Sequence, residues 1–323
     1  MNTKLLSVIV ALLTACRLVA FAAQTVPVVL DTDIGDDIDD TWALAILLHH
    51  PELDLKLVTT TFGKAEYRAK IVARLLTIAH RTDVPVGLGA GGHGGTGGQQ
   101  PWVQDYKLES YPGPIKEDGV QALIDTVNRA EKPITIISIG PSDTVAAALQ
   151  RQPDIATKAY FVGMQGSVRK GYDGGPVCPE WNVKANIAAA QKALLAPWKK
   201  VTITPLDTCG LVKVSGARYA ELTRSQDPLT KAVLENYRIW AKKDQLSASS
   251  VLFDTVAVYL ATPGAKSLLK LEDLNINVSP SGLTTIDDLG RPMAVATSWN
   301  SLDGYEDWVV STLTGKAASA QSQ

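Results

Sequence analysis

One stretch limits this chain more than any other. It runs Asp31-Thr32-Asp33-Ile34-Gly35-Asp36-Asp37-Ile38-Asp39-Asp40, six carboxylates in ten residues, between the apolar run Val26-Pro27-Val28-Val29-Leu30 and the apolar-rich Trp42-Ala43-Leu44-Ala45-Ile46-Leu47-Leu48. The first run reads as a buried strand and the second as a helix, so the acids occupy a strand-to-helix loop. Acidic loops are commonly solvated turns or helix-start charges, because Asp caps helices and suits the positive end of the dipole. The position argues for more, since ligands of open α/β sheets sit beyond the carboxyl ends of the strands. Carboxylates that converge there resist ionisation unless a cation neutralises them. An all-oxygen donor set suits calcium or magnesium rather than zinc.

The rest of the chain repeats the strand-helix alternation. Strands are expected over 55–62, 84–88, 133–139, 160–166 and 200–207, and helices over 41–50, 66–80, 120–130 and 185–195. Further helices are expected near 219–223, 228–243 and 304–312, an apolar helical run over 251–260, and two short strands at 274–278 and 293–296. This order predicts an α/β fold, one domain over 25–323 with a mostly parallel, doubly wound sheet. A chain of 323 residues, 46% hydrophobic, can bury such a core, and a net charge of −2 offers no basic field for nucleic acid. Seven glycines between Gly89 and Gly98 predict a mobile loop, with His93 inside it.

Residues 1–24 read as an export signal: Lys4, an apolar run from Leu5 to Leu13, then small residues. Leu13-Thr14-Ala15-Cys16 would attach a lipid anchor through Cys16, whereas Ala20-Phe21-Ala22 fits ordinary cleavage. Either route places the mature protein outside the cytoplasm. Cys178 and Cys209 then remain, and the sequence leaves their pairing open.

The acidic loop resembles that of the calcium-dependent nucleoside hydrolases, the inosine–uridine-preferring family that cleaves N-ribosidic bonds. Between its Asp-x-Asp and its final Asp-Asp this chain has five residues, Ile34 to Ile38, against the family's usual three. Asp39-Asp40 are aligned because the helix follows them directly, with Asp36 and Asp37 as second choices. Four more partial matches come in the family's order: Ile139-Gly140-Pro141, Met164-Gln165-Gly166, Glu180-Trp181-Asn182 and Asp254.

The resemblance implies that Ca2+ is held by Asp33, Asp40, Asp254 and the carbonyl of Ile139, with Asp33 also accepting a proton from the attacking water. It implies that Asp39, Glu180 and Asn182 hold the ribose, that His93 belongs to a lid over the substrate, and that Asp31 supports the loop from behind. The substrate would be a small-molecule nucleoside, and a homo-oligomer is left open. Three places depart from the pattern: Lys64 stands where many members have a ribose-binding Asn, Ser142-Asp143-Thr144 replaces Leu-Thr-Asn after Gly140-Pro141, and Phe253 stands where some have a His that helps the base leave. These departures keep an extracytoplasmic calcium-stabilised binding protein without turnover, or a hydrolase of another ribosyl substrate, in view. A phosphoryl-transfer enzyme built on Asp31 and Asp33 is the weaker rival, since no downstream Lys and acidic pair can be placed.

Overall fold

The computed structural model describes residues 25–92, 95–263 and 267–316. The export signal, Cys16 and His93 lie outside them. Ten strands form one sheet: β1 Val26–Thr32, β2 Leu53–Thr60, β3 Val86–Gly87, β4 Ile115–Lys116, β5 Ile134–Ser138, β6 Ala159–Met164, β7 Val201–Thr204, β8 Leu269–Val278, β9 Thr284–Ile286 and β10 Arg291–Trp299. Their order is β4-β3-β2-β1-β5-β6-β7-β10-β8-β9. From β4 across to β10 every neighbouring pair is parallel, and only β8 on β10 and β9 on β8 are antiparallel.

The sheet is doubly wound because its central strands are apolar on both faces. In β1, Val28 and Leu30 join one core and Val29 the other; in β5, Ile137 joins the first core while Ile134 and Ile136 join the second. The first core takes in helices Asp39–His49, Pro228–Ala241 and Leu302–Leu313, and the second takes in Gly119–Arg129 and Ile187–Leu195. Helix Asp39–His49 is buried from Asp39 through Leu47, which accounts for a sequence apolar all round. From β1 the chain winds outward one way to β4 and, from β5, the other way to β7. The switch of direction therefore falls between β1 and β5, where a crevice opens beyond the strand ends.

Element limits moved where tertiary packing overrode local pattern. The helix expected from 41 begins at Asp39, so the last two acids are its first turn. The apolar run 251–260 is helical only over Thr255–Ala261, and its acid, Asp254, sits at the N-cap. The two short tail strands are the long antiparallel pair β8 and β10. Ser142 occupies the N-cap of helix Asp143–Arg151 but does not cap it, because its left-handed backbone (φ 61°) turns the hydroxyl toward Ser138 Oγ at 3.0 Å. Cys178 and Cys209 are unpaired. Among the described residues no helix is long and apolar enough to cross a membrane.

Candidate active site

A pocket of about 480 Å3 opens beyond the carboxyl ends of β1, β5 and β6, at the switch of strand order. β1 delivers Asp33, the helix that follows delivers Asp39 and Asp40, and the N-cap of helix Thr255–Ala261 delivers Asp254. Ile139, Met164, Glu180 and Asn182 line the same pocket. The β5 end can approach this closely because residue 140 is glycine: a Cβ there would stand 2.9 Å from the Asp33 carboxylate.

Carboxylate oxygens of Asp39, Asp40 and Asp254 lie within 4.8 Å of one another, and all three residues are buried. Asp33 lines the pocket but is not one of that group. The choice between the two acid pairs is decided by burial: Asp39 and Asp40 are inside, while Asp36 and Asp37 are exposed at the rim. Asp39, expected beside the ribose, stands with the two acids expected to hold a cation.

Burial and mutual repulsion act on every one of these groups. The Asp39 carboxyl is pushed well up by burial and then by the Asp37 charge; Asp40 by burial, then by Asp33 and Asp39; Asp254 by burial, then by Asp39. Burial lifts Asp33 to about 7 against the pull of the Arg68 guanidinium. Few hydrogen bonds compensate: the Thr32 hydroxyl donates to Asp40 Oδ1, and the Asp254 amide donates to Asp39 Oδ2 at 3.3 Å. The donor set fits a hard divalent cation, whose charge would reverse these shifts. Asp31 lies behind the loop, fully buried, accepting from Thr59 Oγ1 at 2.7 Å, and its carboxyl is pushed up mainly by burial.

Glu180 has a structural task in addition to lining the pocket. It caps helix Trp181–Ala185, accepting from the amides of Asn182 at 2.7 Å and Val183 at 3.3 Å, and it takes the Gly166 amide at 2.9 Å. Burial still raises its carboxyl to about 7. The Asn182 side-chain amide donates to the carbonyls of Ile139 at 3.3 Å and Met164 at 3.1 Å, and a carbonyl has a second lone pair free for another partner. Phe253 meets Tyr172 edge-on at 6.1 Å, and with Trp181 these rings make the mouth aromatic. Lys64 is exposed and does not line the pocket.

Sequence reasoning passed over two features. Tyr172 and Trp181 are not legible as pocket residues, because nothing local shows that Tyr172 meets Phe253 or that Trp181 lines the same mouth. Arg68 is 2% exposed and lies against the acidic loop, its Nη2 2.7 Å from Asp36 Oδ2. A signal existed: Arg68 falls in the apolar stripe of its helix, at the spacing of Ile71, Val72 and Leu75.

Residues 28–309 match the model of a family described as inosine-uridine preferring nucleoside hydrolase. Pyrimidine-specific ribonucleoside hydrolases RihA from Escherichia coli are 29% identical over 182 residues, 52% of this chain and 56% of theirs. The chain thus matches about half the length of these curated relatives. A plant nucleoside hydrolase superposes with a TM-score of 0.73 at 22% identity, covering 89% of this chain and 98% of its own. The inosine-uridine preferring nucleoside hydrolase of Bacillus anthracis gives 0.72 at 19%, covering 90% and 99%. A purine-preferring ribonucleoside hydrolase from Gardnerella vaginalis gives 0.71 at 21%, covering 90% and 98%. These structures share the fold.

Proposed function

Because this chain belongs to the inosine-uridine preferring nucleoside hydrolase family, we propose that it hydrolyses the N-glycosidic bond of a ribonucleoside to ribose and free base, with calcium as its cation. The observation that carries this reading is the meeting of Asp39, Asp40 and Asp254, all buried, within 4.8 Å. Asp40 and Asp254, with Asp33 and the Ile139 carbonyl, would hold the ion, and Asp39 belongs to the same group of oxygens. Bound there, calcium would supply the charge that keeps the carboxylates ionised and makes a neighbouring water more acidic.

Asp33, which would also touch that water, accepts its proton. The water oxygen bonds to the anomeric carbon while the C–N bond breaks through a transition state of oxocarbenium character, and its electron pair leaves on the base, which takes a proton from solvent. Asp39, Glu180 and Asn182 hold the ribose, supplying acceptors and donors for its hydroxyls. Asp31 supports β1 beneath them. The aromatic mouth receives the flat base, and Phe253 offers it no proton. The leader over 1–24 supports an exported enzyme.

Ribose release from inosine, uridine, adenosine and cytidine, with calcium and after chelation, tests the reading. Calcium-dependent release that is lost in Asp33→Ala is the expected result. Calcium uptake without ribose release from any of the four would sink the nucleoside assignment. The assay also ranks the bases, because relatives named for pyrimidines and for purines both share this family or fold.

A further inference from the structure

The loop that carries the acids is not held by a cap of its own. Helix Asp39–His49 has Ile38 at its N-cap and no side-chain capping bond. Instead, five successive main-chain carbonyls are each taken by a side-chain donor from elsewhere. Arg68 Nη1 donates to the carbonyl of Asp33 and to that of Ile34, the latter at 3.0 Å. The Tyr67 hydroxyl donates to Gly35 O at 2.9 Å, the Trp240 indole to Asp36 O at 2.8 Å, and Gln99 Nε2 to Asp37 O at 2.6 Å.

The four donors come from three separate parts of the chain: helix Ala65–Ile78, the end of the glycine-rich loop, and helix Pro228–Ala241. Gln99 is fully buried and also accepts from Thr41 Oγ1 at 2.8 Å and Asn236 Nδ2 at 2.6 Å, tying the loop to the first turn of the helix behind it. Of the glycine-rich loop, the end at Gly97 and Gly98 packs here. A Cβ on Gly97 would stand 2.1 Å from Gly35 O, so only glycine lets it pass. Apart from the Asp36–Arg68 pair, these bonds engage main chain and not carboxylates, which leaves the inner acids available to a ligand.

We propose that Arg68, Tyr67, Gln99 and Trp240 are positioning residues, which set the separation of Asp33 from Asp39 and Asp40 by gripping the main chain of 33–37. The inference rests on the cation-dependent reading above. It also explains how a loop two residues longer than its family resemblance implies can still bring its outer acids to one pocket.

The double variant Tyr67→Phe with Trp240→Phe tests it: the first change removes only the hydroxyl, and the second keeps an aromatic side chain while losing the indole N–H with one ring of the bicycle. Trp198→Phe is the matched control, since that indole donates to Ala193 O at 2.6 Å in the other core. Amide hydrogen exchange over 33–40 should be at least ~10-fold faster in the double variant and unchanged in the control. Calcium affinity, titrated calorimetrically with calcium chloride, should fall by roughly 10- to 100-fold in the double variant alone. Exchange within about two-fold of wild type, or faster exchange with unchanged calcium affinity, would overturn the proposal. A wild-type protein that takes up no calcium would overturn the cation-dependent reading instead, and the exchange comparison would then decide the grip on the loop.

Discussion

At the carboxyl ends of the parallel strands lies the acidic pocket of about 480 Å3; at their amino ends, around Pro27, Lys56 and Ile134, lies a cleft of about 900 Å3. The larger cleft is rich in charge, but that charge is solvated and much of it is paired. Arg129 meets Asp125 at 3.0 Å, and Asp118 meets Arg151 at 2.7 Å. Pairs of this kind contribute at most about 1 kcal/mol. There the Asp118 carboxyl is lowered, by the Gln121 amide and then by Arg151. In the smaller pocket Asp33, Asp37, Asp39, Asp40, Glu180 and Asp254 are all raised. Volume therefore does not mark the site. Desolvated like charges do, because they leave an unfavourable free energy that a cation can relieve, and a ligand that relieves it also stabilises the fold.

The sharpest way to break this comparison is to neutralise acids at one end and charges at the other. Asp40→Asn or Asp254→Asn should lower kcat/KM for the best nucleoside by about 1,000-fold or more, through loss of a cation donor. Arg129→Ala at the amino end should leave it within about two-fold, since surface changes seldom propagate. A large loss from Arg129→Ala would mean that the larger cleft takes part in the reaction.

A second effect, in melting temperature, follows from the sign of the pKa shifts. Carboxyls raised by folding bind protons more tightly in the native state, so their stabilising effect is complete near pH 4 and is lost as pH rises through the folded values. For Asp33 and Glu180 those values are about 7. The metal-free protein should thus melt several degrees lower at pH 8 than at pH 5, and calcium should abolish or reverse the difference. His50, lowered by burial, acts in the opposite direction but is a single group. Without the cation Asp40→Asn should melt about 3–8 °C higher than wild type at pH 8, because one repelling charge is gone. Equal melting temperatures across pH would show that the pocket stores no electrostatic cost.

The smallest effect concerns the mouth. Phe253→Ala should raise KM by roughly 10-fold with a lesser change in kcat, since an aromatic contact of about 1 kcal/mol or slightly more acts on bound base and transition state alike. A fall in kcat alone, seen in steady-state assays, would place Phe253 in the chemistry.

Much of this was legible before any coordinates. The strand, the acid-rich turn and the helix from Val26 to Leu48 follow from local periodicity, and Asp254 stood out as one acid inside an apolar run. Which acids turn inward was not legible, because Asp36-Asp37 and Asp39-Asp40 are identical pairs three positions apart. Burial of the helix from Asp39 onward separates them. Nor did any pattern reveal that Gln99 would join three elements.

By itself, the sequence determined the alternation of elements, hence a doubly wound sheet, and the concentration of oxygen ligands after its first strand, because both depend on residues near one another in the chain. Only the tertiary structure decided that Asp39 and Asp254, 215 residues apart, share one buried pocket, and that Arg68 and Trp240 grip the loop between. Those contacts arise from the order in which strands pack about β1, and no local spacing encodes that order.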